Sequence, residues 1–205
     1  MDRVRGAGQA VLLLLVLASL ALVGPRPSAA RLPAELAAAV VWPTSTLVVS
    51  EVQTGGASAS DEFAEISNAG AVAVDLTGLE VVYATSTGST VTRKASWTTA
   101  SILEPGRHLL IANSAGVFAP IADATYSGGF AATGGAIVLR PIGGTPIDAV
   151  GWGDATNAFV EGTSAAAPAI APAPGKSGAR HPDGHDTNVN SADFTIGDPT
   201  PGTSN

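Results

Sequence analysis

Two apolar runs, Ala136-Ile137-Val138-Leu139-Arg140 and Pro146-Ile147-Asp148-Ala149-Val150, are separated by Pro141-Ile142-Gly143-Gly144-Thr145. This is the pattern of a β-hairpin, because Gly supplies the positive φ values that a tight reversal needs. The same texture fills the middle of the chain. Val, Thr, Gly and Ser dominate there, while Lys, Gln and Met are scarce, so short strands joined by turns are expected and the fold class is all-β.

Leu47 to Val52 is strand-like, Gly55 to Ser60 is a loop, and Glu62 to Ser67 is a second strand that turns at Asn68-Ala69-Gly70. Asp75-Leu76-Thr77-Gly78 reads as a structural turn with Leu76 pointing inward. Leu79, Val81 and Tyr83 alternate onto one face, as a half-buried strand requires. Val91 to Trp97 is more polar and suits an edge, whereas Arg107 to Ala112 is apolar enough for a central strand. Gly162 to Gly178 is rich in Ala, Pro and Ser, with Pro168, Pro172 and Pro174, and is expected to be an exposed loop. Phe194 is an isolated aromatic in a polar stretch, which fits an anchor packed on the sandwich.

The first thirty residues read as a secretory signal. Arg3 and Arg5 precede an apolar run from Val11 to Val23, interrupted by Ser19, and Ser28-Ala29-Ala30 offers a cleavage site. The run falls short of the roughly 20 residues that a spanning helix needs, so a membrane association would come only through an uncleaved signal anchor. Residues 31–45, with Pro33 and Pro43, form a linker with a short helical turn over 35–40, and residues 46–205 form one β-domain. Cleavage after residue 30 removes three arginines and one aspartate and takes the formal charge from −7 to −9. With Arg93-Lys94 as the one adjacent basic pair, nucleic acid is a poor partner. The chain has no cysteine. That excludes disulfide staples, a thiol nucleophile and a thiolate zinc site, and leaves an apolar core to stabilise the domain.

Taken together, Ser50-Glu51-Val52, Asp61-Glu62-Phe63, Glu65, Asn68, Asp75-Leu76, Gly78, Pro105-Gly106, the hairpin at 136–150, Arg180, Asp186, Asn190, Asp193-Phe194 and Thr200-Pro201-Gly202 resemble the lamin-tail domain family in its bacterial, secreted form. Leu79 departs from the aromatic residue often found after that glycine. The resemblance spans roughly Thr46 to the C-terminus and implies an immunoglobulin-like β-sandwich. Bacterial domains of this kind often accompany exported hydrolases, which implies an accessory or targeting role.

Catalytic signatures are weak. No Gly-x-Ser-x-Gly elbow occurs, and the histidines are His108, His181 and His185. Glu51, Asp61, Glu62, Glu65 and Asp75 are expected to cap turns and to pair with Arg93, Arg107 or Arg140 at the surface. His181 and His185 would align as zinc ligands only on a helix, which Pro182 and Gly184 oppose. The main metal candidate is calcium at Asp183, Asp186, Asn188, Asn190 and Asp193, whose spacing partly follows the first half of a calcium loop. Ser191 replaces the turn glycine of such a loop, and Gly197 replaces its final glutamate. Asx-turns account for the same string without metal.

These residues lead to two functional expectations. The first is a secreted or surface-associated, non-catalytic binding or scaffolding module without a cofactor, whose partner is an extracellular protein or cell-envelope component. The second is an exported metal-dependent hydrolase that uses the Asp/His-rich terminal segment.

Overall fold

The computed structural model describes residues 42–162 and 167–205. The signal reading over 1–30, the helical turn at 35–40, residues 31–41 of the linker and residues 163–166 of the Ala/Pro/Ser loop lie outside the described residues. Twelve strands are present in the described residues: β1 (Leu47–Thr54), β2 (Glu62–Asn68), β3 (Val74–Asp75), β4 (Leu79–Thr85), β5 (Val91–Ser96), β6 (Ile102–Leu103), β7 (His108–Asn113), β8 (Ala124–Tyr126), β9 (Gly134–Pro141), β10 (Asp148–Gly153), β11 (Ser177–Arg180) and β12 (Phe194–Gly197). A single helical turn, α1 (Asn190–Asp193), precedes β12.

The strands form two main sheets, ordered β12-β11-β1-β2-β7-β8 and β10-β9-β4-β5, with β3 and β6 as a separate pair. Pairing is antiparallel except between β7 and β8. The expected hairpin is β9 and β10, with Asp148 opposite Leu139, and Gly143 in its turn has φ +68°. The polar strand β5 lies at a sheet edge, and β7 is flanked on both sides.

Between the sheets, Val49, Val52, Ala64, Ile66, Leu109 and Ile111 from one side meet Val81, Tyr83, Ile137, Leu139, Val150 and Trp152 from the other. Leu76 is fully buried in this core, and Phe194 closes it near the C-terminal end. Burying side chains of this size contributes about 1.5–3 kcal/mol each.

The half-buried expectation for β4 needs correction. Val82 and Ala84, on its other face, are also buried and join Ala136, Val138 and Ala149 beneath Trp42 and Phe159. The larger sheet is covered outside as well, with Phe63, Leu110 and Ala112 under Phe118 and Ala122. Segments that look like linker and loop therefore act as outer layers.

A second correction concerns the 162–178 segment. Ala169 pairs beside Trp152, and residues from Ser177 onward form β11, an internal strand between β1 and β12. Small residues suit that position, because Gly178 lies against Ile196, Pro172 and Val52.

Candidate functional site

The chemistry-bearing side chains fall into three groups. The first is built around a break in the β1 ladder. The register of β1 against β2 shifts between Val49 and Glu51, a bulge that frees backbone groups from ladder pairing. Val49 N–H donates to Asp148 Oδ2, and its carbonyl accepts Nε of Arg180 at 2.9 Å.

Arg180 is fully buried and spreads its remaining donors over four carboxylates. Its Nη2 lies 2.7 Å from Asp148 and 3.3 Å from Glu161, and its Nη1 lies 2.9 Å from Asp193 and 3.2 Å from Asp186. The guanidinium also stands 4.7 Å from the centre of the Phe194 ring. A rigid fork with five donors matches this surround, which an ammonium could not. Burial, together with the neighbouring Asp148 charge, pushes Glu161 up to about 10.

Asn190 joins the same cluster to the backbone. Its Oδ1 accepts from Gly151 N and Glu161 N, while its Nδ2 donates to Ala149 O and Glu161.

The second group lies on the outer face of the larger sheet. Glu51 and Glu65 are register partners on β1 and β2, and both are fully buried. The C-terminal residues fold over them. Thr200 N–H and its hydroxyl donate to Glu51, and Gly202 N–H donates to Glu65 Oε2. Glu65 Oε1 also accepts from the Ser50 hydroxyl and lies 2.7 Å from His108 Nδ1. His108 Nε2 is 3.3 Å from Asp183 Oδ2. Burial alone would lower His108, but the hydrogen bond and charge of Glu65, with Asp183 behind it, raise it overall.

These positions revise the expectation that the acids sit at the surface opposite Arg93, Arg107 and Arg140. Arg93 and Arg140 pair with Glu80 instead, at 2.6 and 2.9 Å. Asp61 and Asp75 do serve turns, accepting from Ser58 and Val117 and from Thr77 and Ser101 respectively. Glu62 is buried and accepts from Asn113 Nδ2 and Phe130 N–H.

The five calcium candidates turn to different partners within the protein. Asp186 and Asp193 face Arg180, a cation where the metal would stand. Asp193 further accepts from the Thr187 amide and hydroxyl, and Asp186 from Asn188 N–H. Asp183 turns to His108 and Asn205, and Asn190 to Gly151 and Glu161. Asn188 adopts φ +58°, as an Asx-rich turn allows. Asp148, Glu161 and Asp186 bring carboxylate oxygens within 4.8 Å of one another, and Arg180 bonds to all three. His181 and His185 are exposed, on non-helical chain.

The third group brings the Arg93-Lys94 pair of the polar edge strand against β8, a neighbour that no local sequence signal announces. β5 and β8, edge strands of opposite sheets, flank an open groove of about 490 Å³ lined by Arg93 to Trp97 and Ala124 to Ser127. The register of β5 against β4 skips Lys94, which pairs with neither Val81 nor Val82. This bulge turns Lys94 inward, where its Nζ lies 4.4 Å from the Tyr126 ring centre, 5.2 Å from Phe130 and 5.5 Å from Tyr83.

Each buried acid accepts from an internal donor, and His108 is clasped between two carboxylates. Two packed, mainly antiparallel sheets around one apolar core form an immunoglobulin-like β-sandwich. The lamin tail domain model matches residues 42–154, more than half of the chain, and the chain belongs to that family. The match ends before β11 and β12, which nonetheless complete the larger sheet. No curated protein matches the chain.

Proposed function

We propose that this lamin tail domain is a secreted or surface-associated binding or scaffolding module without chemistry of its own. The observation that supports this reading is the fate of its acids and His108. His108 and the buried acids hold the sandwich and its C-terminal segment together, whereas catalysis requires a positioned acid or base within reach of a substrate.

Export rests on the charged start, the short apolar run and Ser28-Ala29-Ala30. The partner is an extracellular protein or cell-envelope component, and the acidic charge disfavours nucleic acid. Mass spectrometry of the extracellular fraction should find a chain beginning near Arg31, and that mature chain should capture envelope or extracellular partners. Recovery of membrane-embedded, full-length protein alone would overturn cleavage. Metal-dependent hydrolysis by the purified chain, lost in Asp186→Ala, would overturn the non-catalytic reading.

A further inference from the structure

We infer that the groove between β5 and β8 is a docking site for an extended acidic peptide, which adds to β5 as a fifth strand and places a carboxylate beside Lys94 and Arg93. The inference deepens the binding reading above and rests on it.

Three observations carry it. The first is a free sheet edge. β5 pairs with β4 on one side and with no strand on the other among the described residues, so it has backbone donors and acceptors to offer. Proteins commonly protect such an edge, and an edge beside a groove can accept an added strand.

The second is charge. The protein is acidic, with 17 Asp and Glu against 10 Lys and Arg, yet no Asp or Glu lines this groove. Its charged lining residues are Arg93 and Lys94, the one adjacent basic pair in the chain. The side chain of Arg93 is 54% exposed even while it pairs with Glu80. A peptide carrying acids would meet complementary charge here.

The third is the state of Lys94. The residue is 6% exposed, and among the described residues its ammonium has a single hydrogen bond, at 3.3 Å to Gly129 O, with the buried Glu62 carboxylate near enough to act on its charge. Three donors are available on a lysine, and a buried cation costs free energy unless its donors are met. The aromatic faces of Tyr126, Phe130 and Tyr83 stabilise the charge without using those donors in conventional bonds. An acidic side chain entering the groove would add an acceptor for the donors that the Gly129 carbonyl leaves open. Trp97, half-buried in the lining, offers a flat apolar surface to the alternate side chains of the same strand.

A suitable probe is a fluorescein-labelled decapeptide of alternating Thr and Glu with blocked ends, titrated into the full mature chain. The expected result is saturable binding that weakens at least tenfold for a Thr–Lys peptide and for a version N-methylated at alternate residues. Ser96→Glu, which adds a carboxylate to the lining at an exposed position opposite Glu80 in the β4–β5 ladder, should weaken binding at least tenfold relative to the neutral control Ser96→Gln, both read well below their melting midpoints. Arg93→Gln should weaken it several-fold, and Arg107→Gln, on exposed chain elsewhere, should not.

Equal affinity for the N-methylated peptide would overturn strand addition. Equal affinity of Ser96→Glu would overturn the groove as the site. Binding of oligogalacturonate in place of the peptide would overturn the peptide as occupant. If the mature chain captures partners that Ser96→Glu also captures, the groove inference fails while the binding reading stands; if neither protein captures any, the binding reading fails too.

Discussion

Arg180 Nη2 lies 2.7 Å from Asp148 Oδ1, and this one fully buried pair joins β11 of the larger sheet to β10 of the smaller. It also joins the part of the chain matched by the family model to the part that follows it. The sandwich is closed here by polar contacts as well as by apolar packing.

Replacing Arg180 with Met should therefore be severe. It leaves Asp148 and Asp193 buried without their cation, a change that costs about 3–5 kcal/mol when a buried pair is broken from one side. Arg180→Lys should recover little, because an ammonium cannot serve four carboxylates and the Val49 carbonyl together. Urea unfolding of both variants measures this, and a loss below about 1 kcal/mol for Arg180→Met would refute the clasp.

Leu76 tests the apolar side of the account. It is fully buried, and Leu76→Ala should cost about 2–5 kcal/mol. Asp75, exposed beside it, bonds only its own turn and Ser101, so Asp75→Asn should lower the thermal midpoint less. Equal midpoints for wild type and Leu76→Ala would mean that the core is wrongly placed.

His108 gives a signed pH dependence. Its folded pKa is raised above the ordinary 6.5, because Glu65 and Asp183 outweigh the opposing effect of burial. The stabilisation is fully present below about pH 6.5 and is lost as pH rises through the folded value. Burial raises Glu51 and Glu62 above the ordinary 4.5, which gives the same sign from there upward. Stability should thus fall as pH rises from about 4.5 through the folded value of His108, and His108→Gln should flatten the part of that fall above about pH 6.5. Parallel profiles for the two proteins would remove His108 from the explanation.

The C-terminal residues should behave as structure. Truncation after Asp198 removes the donors that Thr200 and Gly202 give to Glu51 and Glu65, and the melting midpoint should drop. An unchanged midpoint would mark the segment as dispensable.

Much of the sandwich is legible in the sequence because strand alternation and turn residues are local signals. Ala136 to Val150 contains its own hairpin, and the polar composition of Val91 to Ser96 marks an edge. The polar clasp has no local signal. Arg180 meets Val49 across 131 positions, and Thr200 meets Glu51 across 149, so their partnership arises only when β11 and the C-terminus fold onto β1. β11 is hidden for a related reason. Ser177-Gly178-Ala179 follows an Ala/Pro-rich run and shows no apolar alternation, and its pairing is imposed by β1 and β12. Glu51 and Glu65 look like surface acids, since nothing near them announces that Thr200 to Asn205 will cover that face. The spacing of Asp186, Asn188 and Asn190 suggests calcium for the same reason, as the cation that satisfies Asp186 and Asp193 comes from Arg180.

The direct test of whether this segment is a protein clasp or a metal loop is a pair of melting curves, one in chelator and one in millimolar calcium, with Asp186→Ala as control. A bound ion at a hundredfold excess over Kd would add about 2.7 kcal/mol to the native state. The clasp predicts superimposable curves for the wild type, whereas a calcium-dependent rise that disappears in Asp186→Ala would contradict it.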